Sequence, residues 1–253
     1  MQRTATNLRI TSIDLNESTM KPYLLNTLVL VSAGALFNSC GTGLLDDRIG
    51  EGVIEYALSF PDYDPNGIMA GMLPERSTVT FCDDRQVAEL SAGMGIFRTT
   101  MITDNTGRAL DYHLSLMSKK IVAHMLPRDL ELFNPESGRP TILYTNDVDT
   151  IAGYPCRKAL AVFDKMDEPE IELWFTDRIE MKNPNWFGPF ADVPGVLMRY
   201  DVVQYGMRMR LDAISVTPGN VDRTKFEPKQ EFEVVPAEVL HQELAEVLGT
   251  FSM

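Results

Sequence analysis

Short runs of alternating apolar and polar residues, each closed by a turn signal, recur along most of this chain, and they leave few folds open to it. Within the first run Ile54, Tyr56, Leu58 and Phe60 share one face at a period of two, and Pro61 ends it. Met207-Arg208-Met209-Arg210-Leu211 alternates strictly, which predicts a strand that wets its arginines and buries its methionines. Strand-like segments fall between these at 77–82, 86–92, 96–103, 110–118, 120–126, 141–144, 156–163, 170–176 and 197–205. The joints are turn residues: Asp83-Asp84, Gly93-Met94-Gly95 and Asp104-Asn105-Thr106-Gly107. Hairpin turns without helical periodicity between them predict an antiparallel meander. Residues 61–76 hold Pro61, Pro65, Gly67, Gly71 and Pro74 around Ile68–Leu73 and read as an apolar loop.

Helical spacing occurs near the end of the chain. Leu240, Leu244, Val247 and Leu248 form one stripe, Pro236 sits in the first turn and Gly249 closes it. This predicts an amphipathic helix, lying either on the sheet or against a partner. The polar break at 128–139 contains Pro135 and Gly138, but strands of the same kind resume after it. The fold class is therefore mainly β with one helix (α+β), and residues 51–253 read as a single β-rich domain.

The segment Met20–Cys40 belongs to a different kind of code. A basic start at Lys21, an apolar run from Leu24 to Phe37 and small Ser39 before Cys40 read as an export signal. The run is too short to span a bilayer comfortably, since that takes about 20 apolar residues. Phe37-Asn38-Ser39-Cys40 resembles a bacterial lipobox, which implies lipidation of Cys40 and a membrane anchor without a spanning helix. An ordinary signal peptide with a cut nearby is the alternative. Residues 4–19 are polar and include Asp14 and Glu17, so translation is expected to start at Met20. The expected division is a removed signal region at 1–39, a lipidated tether at 40–50 and the domain beyond it. Gly41-Thr42-Gly43 lacks an acidic cluster, and the expected location is the cell envelope, anchored in the outer membrane and facing the periplasm.

The net charge of −13 becomes −14 once residues 1–39, with their net +1, are removed. An acidic chain argues against a nucleic-acid partner, because phosphate binding needs clustered Lys and Arg. With Cys40 assigned to lipid, Cys82 and Cys156 remain, either bridged in an oxidising compartment or standing as two buried thiols. His113, His124 and His241 show no ligand spacing, so neither a metal nor another cofactor is expected. The motifs of hydrolases, metalloproteases and phosphate-binding loops do not occur, and the expectation is a protein that is not an enzyme.

Trp174, Phe175, Trp186, Phe187 and Phe190 form a dense aromatic set, and 14 methionines accompany it. Such residues either fill a core or line an apolar cavity, where thioethers adapt to varied ligands. On the second reading the candidate ligand-binding residues are Met69, Met72, Trp174, Trp186, Phe187 and Phe190. Pro194-Gly195 suits a turn with positive φ at Gly195.

Three blocks carry a family resemblance. Ile151-Ala152-Gly153-Tyr154-Pro155-Cys156-Arg157-Lys158-Ala159, then Leu173–Ile179, then Phe187-Gly188-Pro189-Phe190 with Asp192–Leu197 resemble, in this order, the GLPGLI family of secreted Bacteroidota proteins. The last block has Asp192 and Val193 where the naming motif has Gly and Leu. The resemblance implies an antiparallel open half-barrel similar to the LolA and LolB lipoprotein carriers, with the helix and loops over its open face. Two functions fit that expectation. One is a lipid-anchored module that holds an apolar ligand, lipid or lipidated cargo in the half-barrel. The other is a structural or regulatory envelope component that binds another protein through a sheet edge or the terminal helix.

Overall fold

A computed structural model describes residues 48–64, 70–133, 138–164 and 170–249. The export segment, Cys40 and Met69 lie outside these residues. Twelve strands form one sheet: β1 Glu51–Ser59, β2 Arg76–Cys82, β3 Arg85–Ala92, β4 Phe97–Asp104, β5 Ala109–Leu116, β6 Lys119–Met125, β7 Thr141–Ile151, β8 Tyr154–Val162, β9 Glu170–Thr176, β10 Val196–Gln204, β11 Met207–Pro218 and β12 Glu233–Val234. The single α-helix among the described residues, α1, spans Ala237–Gly249.

The spatial order is β12-β6-β5-β4-β3-β2-β1-β11-β10-β9-β8-β7. Neighbours are antiparallel except β12, which adds to β6 in parallel. The order has a simple origin. From β1 the chain meanders outward to β6, starts again at the opposite edge with β7, and meanders back until β11 lies beside β1. The order starts at β12 and ends at β7, so the sheet is open.

Three register shifts bend this sheet, between Glu55 and Tyr56, between Leu197 and Arg199, and between Tyr144 and Val148. The first two put one extra residue into a strand and the third puts two into β7, and each sharpens the local twist, which curls a wide sheet around one face. Alternation then sorts the side chains. On β11 Met207, Met209 and Leu211 line the enclosed face, while Arg208 and Arg210 bond Asp201 across the other, at 2.8 and 2.7 Å. On β9 Ile171, Leu173 and Phe175 are buried with Phe163, Phe190 and Val193.

Helix α1 lies on the sheet. Leu240 and Leu244 are fully buried against Leu114, Ile121, Ala123 and Met125. Residues 219–235 cross the outer face: Phe226 covers Cys82, Val87 and Ile102, and Phe232 meets the edge of the His113 ring at 4.9 Å. This outer crossing and the short β12 were absent from the expected meander. So was the second half of β7, where Thr145–Thr150 is mostly exposed and shows no apolar alternation.

One open alternative is decided and one expectation is corrected. Cys82 and Cys156 are separate free thiols, buried in different clusters: Cys82 under Phe226, Cys156 beside Ile54, Ile151 and Met198. Burial pushes the Cys156 thiol up to about 11, which keeps it protonated and unreactive. Gly195 does not have a positive φ. A Cβ there would come within 2.9 Å of the Thr176 carbonyl carbon and 3.0 Å of Phe175 Cδ2, so the glycine lets β10 begin hard against β9.

Candidate functional site

The curl encloses a cavity of about 630 Å³, twice the roughly 300 Å³ at which small-ligand sites begin. Its walls come from both meanders, including Val79, Ala88 and Met101 from one and Tyr200, Val202 and Met209 from the other. The Pro184–Phe190 loop and the second half of α1 complete it. Among the described residues six methionines line it: Met72, Met101, Met117, Met125, Met207 and Met209.

One end is the mouth. Met72, Ile96 and Met117 belong to the lining and are nevertheless 42%, 46% and 79% exposed. They sit where hairpins turn, and Met94 beside them is entirely exposed at a left-handed φ of 54°. Glu243 and Glu246 of α1 also belong to the lining, and Glu243 is paired with Lys119.

The other end lies about six residues along β3 from the mouth, or roughly 20 Å at 3.3 Å per residue. It is closed by a polar knot. Asn105 is fully buried, and its Oδ1 accepts from Thr103 Oγ1 at 2.9 Å, Trp186 Nε1 at 3.1 Å and Gln86 Nε2 at 3.3 Å. Gln86 Nε2 also donates to the Pro184 carbonyl at 2.7 Å. Next in the chain, Asn185 Nδ2 donates to the carbonyls of Val193 at 3.0 Å and Gly195 at 2.8 Å, which folds the 184–195 loop into a floor.

Hydroxyls inside the walls stay neutral. Burial raises the Tyr112 phenol to about 12 and holds Tyr56 and Tyr200 well above the usual tyrosine range. Tyr56 donates to the Leu197 carbonyl at 2.8 Å, tying β1 to β10 across the enclosed face. Among the described residues the lining contains no Lys, Arg or His.

The residues singled out in the sequence do not all meet here. Met72, Phe187 and Phe190 line the cavity, and Phe190 stacks edge-on against Phe163 and Tyr200 at 6.2 Å from each. Trp186 lies under the floor as core, with its indole N–H spent on Asn105. Trp174 faces the other way, on the side of Glu172, with the Lys158 ammonium 5.8 Å from its ring. Sequence reading missed Gln86, Tyr112, Asn185 and Tyr200. Tyr112 and Tyr200 carried a usable signal in their strand alternation; the two carboxamides carried none. Among the described residues no group of three or more His, Cys, Asp or Glu could hold a metal ion.

No family model and no curated protein matches the chain. Among solved structures, PNGF-II is similar over 78% of this chain and 32% of its own, with 15% identity and a TM-score of 0.48. MucB in complex with MucA(peri) is similar over 75% of this chain and 57% of its own, with 10% identity and a TM-score of 0.31. A beta-barrel-like protein of a domain of unknown function from Brucella abortus matches 68% of this chain and 99% of its own, with 11% identity and a TM-score of 0.32. The chain thus spans about a third of the length of the PNGF-II chain. Likenesses this distant carry no statement about activity.

Proposed function

We propose that this protein is a non-enzymatic binding module of the cell envelope that shelters an apolar ligand, such as a lipid or lipidated cargo, inside a LolA/LolB-like half-barrel. The observation that carries this reading is the cavity: about 630 Å³, methionine-rich, and open through an apolar rim. Burial of apolar surface at about 25 cal/mol per Å² would supply the binding energy. A lipid on Cys40 would hold the cup at a membrane, on the periplasmic face of the outer membrane, within reach of lipid. Native mass spectrometry of protein purified from two unrelated expression hosts tests the reading. Bound mass in the range of one lipid is expected, and apo mass alone from both hosts would overturn it.

One observation favours the second reading, an envelope protein as partner. Among the described residues strand β7 is a sheet edge paired only with β8, and Leu143, Tyr144 and Val148 stand exposed on it. An edge with free backbone groups and exposed apolar side chains can accept another strand. The shift between Tyr144 and Val148 breaks its pairing line, which limits such a partner to a few residues on either side.

A further inference from the structure

The polar atoms of the cavity differ in what they can still offer, and this narrows the ligand. Gln86 uses its amide nitrogen on two acceptors, Asn105 Oδ1 and the Pro184 carbonyl. Asn185 uses its own on two carbonyls, those of Val193 and Gly195. A backbone carbonyl only accepts, so the nitrogen of each carboxamide must be the atom that faces it, and its orientation is settled by its partners. Each amide nitrogen has two N–H groups, and both are committed. What each side chain has left for anything in the cavity is its carbonyl oxygen.

These two residues are neighbours through Pro184 and sit together at the closed end, while Glu243 and Glu246, acceptors as well, belong to the lining at the mouth. Among the described residues no cation lines the space between. A carboxylate or phosphate carried to the floor would lose its water and find neither a cation nor an uncommitted N–H on Gln86 or Asn185, which is costly. A hydroxyl or N–H would find acceptors already held in place.

Resting on the apolar-ligand reading, we propose that the ligand's polar end bears a hydrogen-bond donor and no negative charge, and that it docks against Gln86 and Asn185 with its hydrocarbon running toward the mouth. The matching chemical class is a long-chain alcohol, a mono- or diacylglycerol, or an amide-linked lipid with a free N–H or hydroxyl.

The test is displacement of an apolar fluorescent probe from the unaltered protein at about pH 8 by three compounds of one chain length: the alcohol, the methyl ester and the carboxylate. The alcohol is expected to bind about tenfold tighter than the ester, which lacks a donor, and tighter still than the carboxylate. In Gln86→Met the preference for the alcohol over the ester is expected to shrink, because one of the two acceptors is gone. Equal binding of alcohol and ester, or a carboxylate that binds best, would overturn the donor assignment while leaving the cavity reading in place. Failure of all three to displace the probe would overturn the cavity reading and this inference with it.

Discussion

Gly195 shows how a single position can be legible in kind and not in reason. A Pro-Gly pair signals a turn, and a turn suggests a left-handed glycine. The chain instead needs the absence of a Cβ, because β10 starts against the Thr176 carbonyl and the Phe175 ring. Gly195→Ala is therefore expected to cost about 2 kcal/mol or more, measured by chemical denaturation, since backbone atoms must move to make room. A loss below about 0.5 kcal/mol would mean that β9 and β10 separate easily. Trp174 and Phe175 make the same point about parity. Adjacent residues on a strand face opposite ways, so the sequence could nominate the aromatic set but not say which member looks inward. Phe175 is buried with Phe163 and Phe190, and Trp174 is half-buried on the opposite face beside Lys158.

The outer crossing at 219–235 is the element that the sequence concealed, because it has no periodicity and its apolar anchors, Val221, Phe226 and Phe232, are scattered among polar ties such as Lys225 to Glu89 and Lys229 to Thr100. Phe226 sits over Cys82 and Ile102, and Phe232 over His113. His113 is 2% exposed, and its Nδ1 finds no hydrogen-bond partner among the described residues. Burial first, then the Lys229 ammonium, lowers its pKa, while Asp111 opposes them. Lys120 Nζ lies 5.7 Å from the centre of the Phe232 ring, and Lys229 bonds Thr100 on the strand beside His113. The sign follows from linkage. The unfolded chain takes up the proton at about pH 6.5 and the folded chain only at lower pH, so stability falls as pH drops through that interval. Thermal melts across this range should show the loss in the wild type and a smaller one in His113→Leu. Parallel curves for the two proteins would remove the imidazole from the account. Helix α1 is the opposite case: its stripe of Leu240, Leu244, Val247 and Leu248 was plain in the sequence, and the first two are core while the last two face the cavity.

At the scale of the whole molecule the open sheet must enclose space without collapsing on it, and the two meanders do so by sharing the β1–β11 seam. Ala88 lines the cavity as a small residue on β3, opposite Met101 on β4. Ala88→Phe should therefore fill part of the void, weaken binding of an apolar probe about tenfold or more, and leave the melting temperature within a few degrees, because added volume has somewhere to go. Unchanged probe binding would place the ligand elsewhere. The sequence by itself determined most of the strands and of their boundaries, the hairpin turns and the terminal helix, since these depend on periodicities and turn chemistry that a few neighbouring residues complete. Only the tertiary structure decided that Glu55 meets Ser215, 160 residues away, and which of each strand's two faces closes around empty space. Period two divides a strand's side chains into two sets, and both sets can be apolar. Which one becomes an interior depends on where the bulges bend the sheet, and that is settled by pairing across the whole chain.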